Sequence, residues 1–217
     1  MKIFKSKHKL KKAIQNQKNL SFVPTMGGLH KGHVSLIKRS KKFKGKVIVS
    51  IFVNPTQFNQ KKDFINYPRN LKKDLSILKK LKIDFLFIPN KRDMFTFRPK
   101  KSVYLNSFSK KLCGSFRKGH FEGVLNIVNR FLEIIKPKRI FLGAKDFQQL
   151  TLIKKHIIKK KINTKIVSCK TIREKNGIAC SSRNNLLSQD EIKKASKIYK
   201  ILSNEKKKPS INLKAVK

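Results

Sequence analysis

The sequence predicts an α/β fold, a doubly wound parallel sheet covered by helices on both faces, and three observations carry that prediction. Continuous apolar runs such as "VIVSIFV" and "IDFLFIP" lack the alternation of a half-exposed strand, as expected of parallel strands buried on both sides. Stretches with apolar residues three and four apart separate them, so strand and helix periods alternate along the chain. The loops "PTMGGLHKGH", "NPTQF" and "GAKD" each follow a predicted strand. In such a sheet they share one edge, the edge where ligands bind.

Taken in order, residues from about 6 to 17 suit a short polar helix, and "LSFVPTM" a strand running into a turn. "HVSLIKRSKKF" sets Val34, Ile37 and Leu36 on a helical face, which starts that helix near His33. "KVIVSIFVN" is a strand, followed by a long polar loop from about Pro55 to Tyr67. After Pro68, Leu71, Leu75, Leu78 and Leu81 recur at helical steps, and "IDFLFIP" returns as a strand. Residues 90–120 read as irregular: a Phe/Arg/Lys-rich loop, a short "SVYL" strand and a turn-rich "CGSFRKGH". "FEGVLNIVNRFLEII" and "DFQQLTLIKKHIIKK" are helices; "PKRIFLG" and "NTKIVSC" are strands. Beyond Arg173 there remain one helix, "LSQDEIKKASKIYKIL", with Ser188 and Glu191 forming a capping box, and a basic tail, "EKKKPSINLKAVK".

A chain of 217 residues is one full domain, or one with a small appendage. Lys and Arg number 55 against 11 Asp and Glu, a formal charge of +44. Such a field attracts polyanions. The basic residues nevertheless recur through nearly every segment, with no RNP motif, zinc spacing or stacking aromatics. The expectation is a solvated basic surface and no specific nucleic-acid partner. Cys113, Cys169 and Cys180 are far apart, neither a disulfide framework nor a zinc site, and suit a reducing cytoplasm. No apolar run approaches the roughly 18 residues of a membrane span, and the basic start lacks a leader pattern. A cytoplasmic protein without a membrane partner is expected.

Residues 24–33 hold two of the five histidines and three of the nine glycines. Gly27 and Gly28 permit a tight turn and close approach to a ligand, and Gly32 leaves room beside the following helix. Amides at a helix start are unsatisfied and carry the positive end of the dipole, a natural phosphate seat. His30 and His33, three apart, project from one side and can donate to oxygens that gain charge when an α-phosphate is attacked. A metal pair is the competing reading, but no acid or cysteine lies nearby and Lys31 opposes a cation. The turn is neither a Walker loop nor a GxGxxG fingerprint.

With "VPTMGGLHKGH" the sequence resembles the HxGH nucleotidyltransferase superfamily. Four further blocks follow in order: "SIFVNPTQFNQKKDFINYPRNLKKDL", "CGSFRKGHFEGV", "FLGAKDFQQL" and "TIREKNGIACSSRNNLLS". Together they make the chain similar to the pantothenate synthetase (pantoate–β-alanine ligase) family from about residue 20 to 188. The resemblance implies a Rossmann-like domain and an ATP-dependent ligase. It would condense (R)-pantoate with β-alanine through a pantoyl adenylate, releasing AMP and pyrophosphate. It further implies a homodimer, ATP as co-substrate and Mg²⁺ carried by the ATP phosphates, with no protein-held metal.

The resemblance maps the ATP site onto Met26, Gly27, Gly28, Leu29, His30, Lys31, Gly32 and His33. His33 takes the position usually described as proton donor, although phosphate stabilisation is the safer description. A second ATP segment maps onto Gly143, Ala144, Lys145 and Asp146, with Lys145 neutralising phosphate charge. Asp146 would accept from the ribose, orient that lysine, or cap a helix. Ile172 would meet adenine through its backbone, and Cys180, Ser181, Ser182 and Arg183 correspond to a lid over the triphosphate. Gln57 and Gln149 carry over as pantoate-binding amides, with Asn54, Arg117 and His120 around the pocket.

The sequence departs from the family pattern where Ala144 replaces an acid before Lys145, Lys118 a proline, and Lys73 an acid beside Asp74. Residues 1–172 are expected to form the Rossmann-like ATP- and pantoate-binding domain. Residues 173–217 would be a reduced C-terminal lid region, shorter than the family's lid domain. A reduced lid would exclude water less well, so more wasteful ATP hydrolysis is expected.

Overall fold

The computed structural model describes residues 1–95 and 102–206. Its strands are β1 (Lys2–Phe4), β2 (Ser21–Thr25), β3 (Val47–Ile51), β4 (Phe85–Phe87), β5 (Arg139–Gly143) and β6 (Lys165–Cys169). The helices are α1 (Lys7–Ile14), α2 (Lys31–Ser40), α3 (Lys61–Ile65), α4 (Leu71–Lys80), α5 (Lys91–Phe95), α6 (Cys113–Phe116), α7 (His120–Ile135), α8 (Phe147–Lys159) and α9 (Gln189–Glu205). The strands form one parallel sheet in the order β1-β4-β3-β2-β5-β6.

Both faces of the sheet are covered, which explains the unbroken apolar runs. Phe22, Ile48, Phe87 and Ile140 face α1, α7 and α8, whereas Val23, Val49, Leu86 and Phe141 face Ile37 of α2 and Leu78 of α4. Strand residues of opposite parity thus enter separate cores. The α7 helix is buried along most of its length, and its Phe131 ring meets Phe22, Phe52 and Phe87.

The connectivity reverses at β2. The chain steps outward from β2 through β3 to β4, then returns to lay β5 on β2's other side. This switch point is where doubly wound sheets open a crevice. The register shows the opening: β2 pairs with β3 over all five of its residues, but with β5 only at Ser21 and Phe22.

Several expectations need correcting. The β1 edge strand, "KIF", is too short and too polar in context to stand out. α2 begins at Lys31 and not near His33, because the His30 side chain is the N-cap. The segment expected as a polar loop contains a 3₁₀ turn (Pro55–Gln57) and α3, and Tyr67 is buried with its ring against Phe58. "SVYL" is not a strand; the Tyr104 amide donates to the ring of buried His156 instead of to a sheet neighbour. The Phe/Arg/Lys-rich loop lies in part, at residues 96–101, outside the described residues, as does the basic tail from residue 207. The capping box of Ser188 and Glu191 is present, opening α9.

Candidate active site

A cavity of about 270 Å³ occupies the crevice between the diverging ends of β2 and β5. Pro24 and Thr25 of β2 and Leu142 and Gly143 of β5 form its walls; Phe52, Val124 and Phe131 contribute an apolar floor. The polar groups come from the loops after β2, β3 and β5, from the start of α7, and from residues 170–183.

The glycine turn is held from beneath. Gly27 and Gly28 have φ of 83° and 61°, conformations that side chains disfavour. The buried carboxylate of Asp74, on α4, accepts from the amides of Gly28 (3.0 Å) and Leu29 (2.8 Å). Thr25 Oγ1 accepts from Gly27 N and donates to the Ser50 carbonyl, tying the turn to β3. The amides of Gly27, Gly28 and Leu29 therefore have intrachain partners. Among the predicted ATP residues Gly27, Gly28 and Leu29 support the turn without lining the cavity; the expected phosphate seat is instead the start of α2, where the Gly32 amide is taken by His30 Nδ1.

His30 and His33 face the cavity with ring centroids 4.1 Å apart. The Gly32 amide donates to His30 Nδ1 (3.1 Å) and the His30 amide to His33 Nδ1 (3.4 Å). A backbone N–H can only donate, so both Nδ1 atoms are unprotonated and each neutral ring carries its hydrogen on Nε2. Burial, then His30 and Lys145, lower the pKa of His33 to about 3; burial and Lys145 also lower that of His30. Both rings are hydrogen-bond donors and not acids at neutral pH. His33 is thereby ill suited to proton donation. Gly32 has its room for a different reason than expected: a Cβ there would lie 2.8 Å from His30 Cε1.

Lys145 and Asp146 pair at 2.8 Å at the start of α8, and both line the cavity. Asp146 occupies the N-cap position but makes no side-chain capping bond; its carboxylate holds the lysine instead. Two adjacent glutamines separate cleanly. Gln149 lines the cavity, whereas Gln148 donates to the carbonyls of Phe108 and Lys111 outside it. Gln57 reaches the Met26 sulfur at 2.7 Å, and its carbonyl receives His120 Nδ1 at 2.6 Å. Arg117 and His120 line the cavity.

Cys180, Ser182 and Arg183 bring the segment after β6 to the cavity. Arg183 forms a two-point ion pair with Asp63 of α3 (3.0 and 2.8 Å), and its guanidinium lies over the Tyr67 ring at 5.2 Å. Ser182 Oγ bonds the Tyr67 hydroxyl at 3.3 Å. Arg183 and Ser182 line the cavity; Asp63 does not, so the acid sits behind the guanidinium. The Cys180 thiol donates to Glu174, which also accepts from Lys31 at 2.6 Å.

Most of the residues singled out from sequence converge here, Ile172 and Cys180 among them. Lys31, Ala144, Ser181 and Asn54 do not line the cavity. Lys31 is turned outward to Glu174, and Ser181 caps the 3₁₀ turn Ser182–Leu186. Asn54 is fully buried behind Gln57, capping Pro55–Gln57 and donating to the Gly123 carbonyl. The residues that sequence reasoning missed are Asp74, Asp63, Tyr67, Phe58, Lys170 and Thr171. Aromatics at Phe58, Phe64 and Tyr67 inside an otherwise polar stretch were the available signal. Among the described residues no three His, Cys, Asp or Glu side chains converge as a metal set, and no helix is long and apolar enough to cross a membrane.

A parallel sheet whose switch-point cavity carries two N–H-donating imidazoles and a lysine defines a nucleotide-handling α/β protein. The family model described as pantoate-beta-alanine ligase matches residues 2–217, and the chain belongs to that family. A pantothenate synthetase of Francisella tularensis subsp. novicida is 44% identical over 204 residues, covering 91% of this chain and 76% of the relative. A crystal structure of pantoate-beta-alanine ligase from Francisella tularensis, complexed with beta-gamma ATP and beta-alanine, superposes with a TM-score of 0.90 at 40% identity. The match covers all of this chain and 83% of that one. The pantothenate synthetase of Thermus thermophilus gives 0.89 at 34% identity, covering 95% and 75%.

Proposed function

We propose that this ligase joins pantoate to β-alanine in the cavity described above, through a pantoyl adenylate made from ATP. A carboxylate is a poor acyl donor until one of its oxygens becomes part of a good leaving group. Attack of that oxygen on the α-phosphate, with loss of pyrophosphate, achieves this. The charge that develops on the phosphate oxygens is met by Nε2–H of His30 and of His33 and by Lys145. Gln57 and Gln149 hold the hydroxy acid, since an amide offers both a donor and an acceptor. Ser182 and Arg183 take the distal phosphates, and the backbone at Ile172 meets the base. Arg117 and His120, both joined to the Gln57 carbonyl, complete the pocket.

Mg²⁺ would enter on the nucleotide's own phosphates, where it supplies charge neutralisation. The nearby acids do not fit a protein-held ion, because Asp74 is bonded to two amides and Asp146 to Lys145. Residues 1–172 act as the binding domain and residues 173–217 as the covering region. A homodimer and a cytoplasmic location complete the reading; sedimentation of the full chain tests the first.

The observation that carries this reading is the pair of imidazoles with fixed tautomers facing the same cavity as Lys145, Gln57 and Gln149. Pyrophosphate release from ATP and pantoate, followed by AMP release on adding β-alanine, tests it. Pyrophosphate release that needs no pantoate would overturn it.

A further inference from the structure

Three histidines line the cavity, and their ring nitrogens are engaged in opposite senses. His30 and His33 receive backbone N–H groups at Nδ1 and present Nε2–H. His120 instead places Nδ1 2.6 Å from the main-chain carbonyl oxygen of Gln57. A carbonyl only accepts, so Nδ1 bears the hydrogen and Nε2 of the neutral ring carries a lone pair. Among the described residues Nε2 has no protein partner, and the ring lines the cavity although only 7% of the residue is exposed.

The amide-forming step needs such a group. Free β-alanine is an ammonium ion near neutrality, with a pKa of roughly 10, like a lysine. Its nitrogen has no lone pair until a proton leaves. The other charged or donating side chains around the cavity are poor proton acceptors. His30, His33, Lys145, Arg117 and Arg183 donate, and Asp146 is paired with Lys145. The charges facing His120 are Arg117, Arg183 and Asp146, and the Phe121 ring packs beside it. Burial is the largest effect and lowers the ring's pKa; the Gln57 carbonyl opposes it, and the smaller effects of Arg117 and Arg183 (lowering) and Asp146 (raising) leave the net shift downward.

We propose that His120 Nε2 accepts the ammonium proton of β-alanine in the second half-reaction. The inference rests on the pantoyl-adenylate reading. The proton passes to Nε2, and the freed nitrogen pair forms the C–N bond at the activated carbonyl. The C–O bond to the phosphate breaks with its electron pair, AMP departs, and the second N–H proton goes to solvent. The imidazolium then returns its own proton to solvent.

His120→Asn is the discriminating variant, because an asparagine amide nitrogen can replace Nδ1–H toward the Gln57 carbonyl while removing Nε2. Two reactions are followed with the full chain: pantoate-dependent ATP–pyrophosphate exchange, and single-turnover decay of bound adenylate on adding β-alanine. The β-alanine step is expected to fall on the order of 100-fold or more, at least about tenfold further than any loss of exchange that comes from His120 lining the pocket. In the native enzyme that step is expected to be flat above the ring's own titration. In the variant it rises about tenfold per pH unit toward the amine pKa. An unchanged β-alanine step, or equal loss of both reactions, overturns the proposal. Absence of exchange in the native enzyme overturns the adenylate reading itself. Should the variant not fold, ¹⁵N shifts of His120 in the native enzyme decide: an Nδ1–H tautomer supports the proposal and an Nε2–H tautomer overturns it.

Discussion

Asp74→Asn probes how the glycine turn is held. The native carboxylate is 2% exposed and offers one oxygen to the Gly28 amide and the other to the Leu29 amide. Asparagine keeps one acceptor but turns an NH₂ toward the second amide, so one buried donor loses its partner. An unsatisfied buried donor costs about 1–3 kcal/mol, and loss of the charge from the remaining bond adds about 1 kcal/mol. The sum, about 2–4 kcal/mol, corresponds to a fall of roughly 10 °C in Tm for a chain of this size. Because the turn also carries His30 and His33, adenylation measured well below Tm should fall at least about tenfold, as misplaced catalytic groups do. The assay pairs thermal melts with ATP–pyrophosphate exchange. A Tm within about 1 °C of native, the shift of an ordinary surface substitution, together with unchanged exchange would refute the reasoning.

The remaining predictions concern pH, the lid and the glutamine pair. His33 has a folded pKa of about 3 against an ordinary 6.5, so the unfolded chain takes up protons first as pH falls. Its contribution to stability is complete above pH 6.5 and lost progressively down to about pH 3, and Tm should be less pH-dependent in His33→Gln. Asp63→Asn frees Arg183 to rotate; KM for ATP should rise about 3- to 10-fold with KM for pantoate unchanged, read from initial rates. Gln149→Ala should raise KM for pantoate with little change in Tm, whereas Gln148→Ala should lower Tm by a few degrees, because two carbonyls lose their donor. Equal kinetic effects of the two glutamine variants would contradict the cavity assignment.

The parts of the fold legible in sequence were those with strong local patterns. β3 and β5 announce themselves through apolar runs, and Ser188 with Glu191 fixes the start of α9 within three residues. What escaped depends on partners distant in sequence. β1 is a strand because Lys2–Phe4 finds β4, more than 80 residues away. Asp74 reads as an ordinary acid on an amphipathic helix until its 45-residue reach to Leu29 is seen. The roles of the imidazoles lie between. Their position after a strand was readable, but their tautomers follow from which backbone group meets each Nδ1, which only folded geometry supplies. The same holds for Gln148 and Gln149, adjacent in sequence and divided by which side of α8 each occupies.

Isotope transfer tests the adenylate most directly. Pantoate labelled with ¹⁸O in its carboxylate is turned over with ATP and β-alanine, and the AMP is analysed by mass. Attack of that carboxylate on the α-phosphate leaves one labelled oxygen in every AMP formed during ligation. AMP without label would contradict the account.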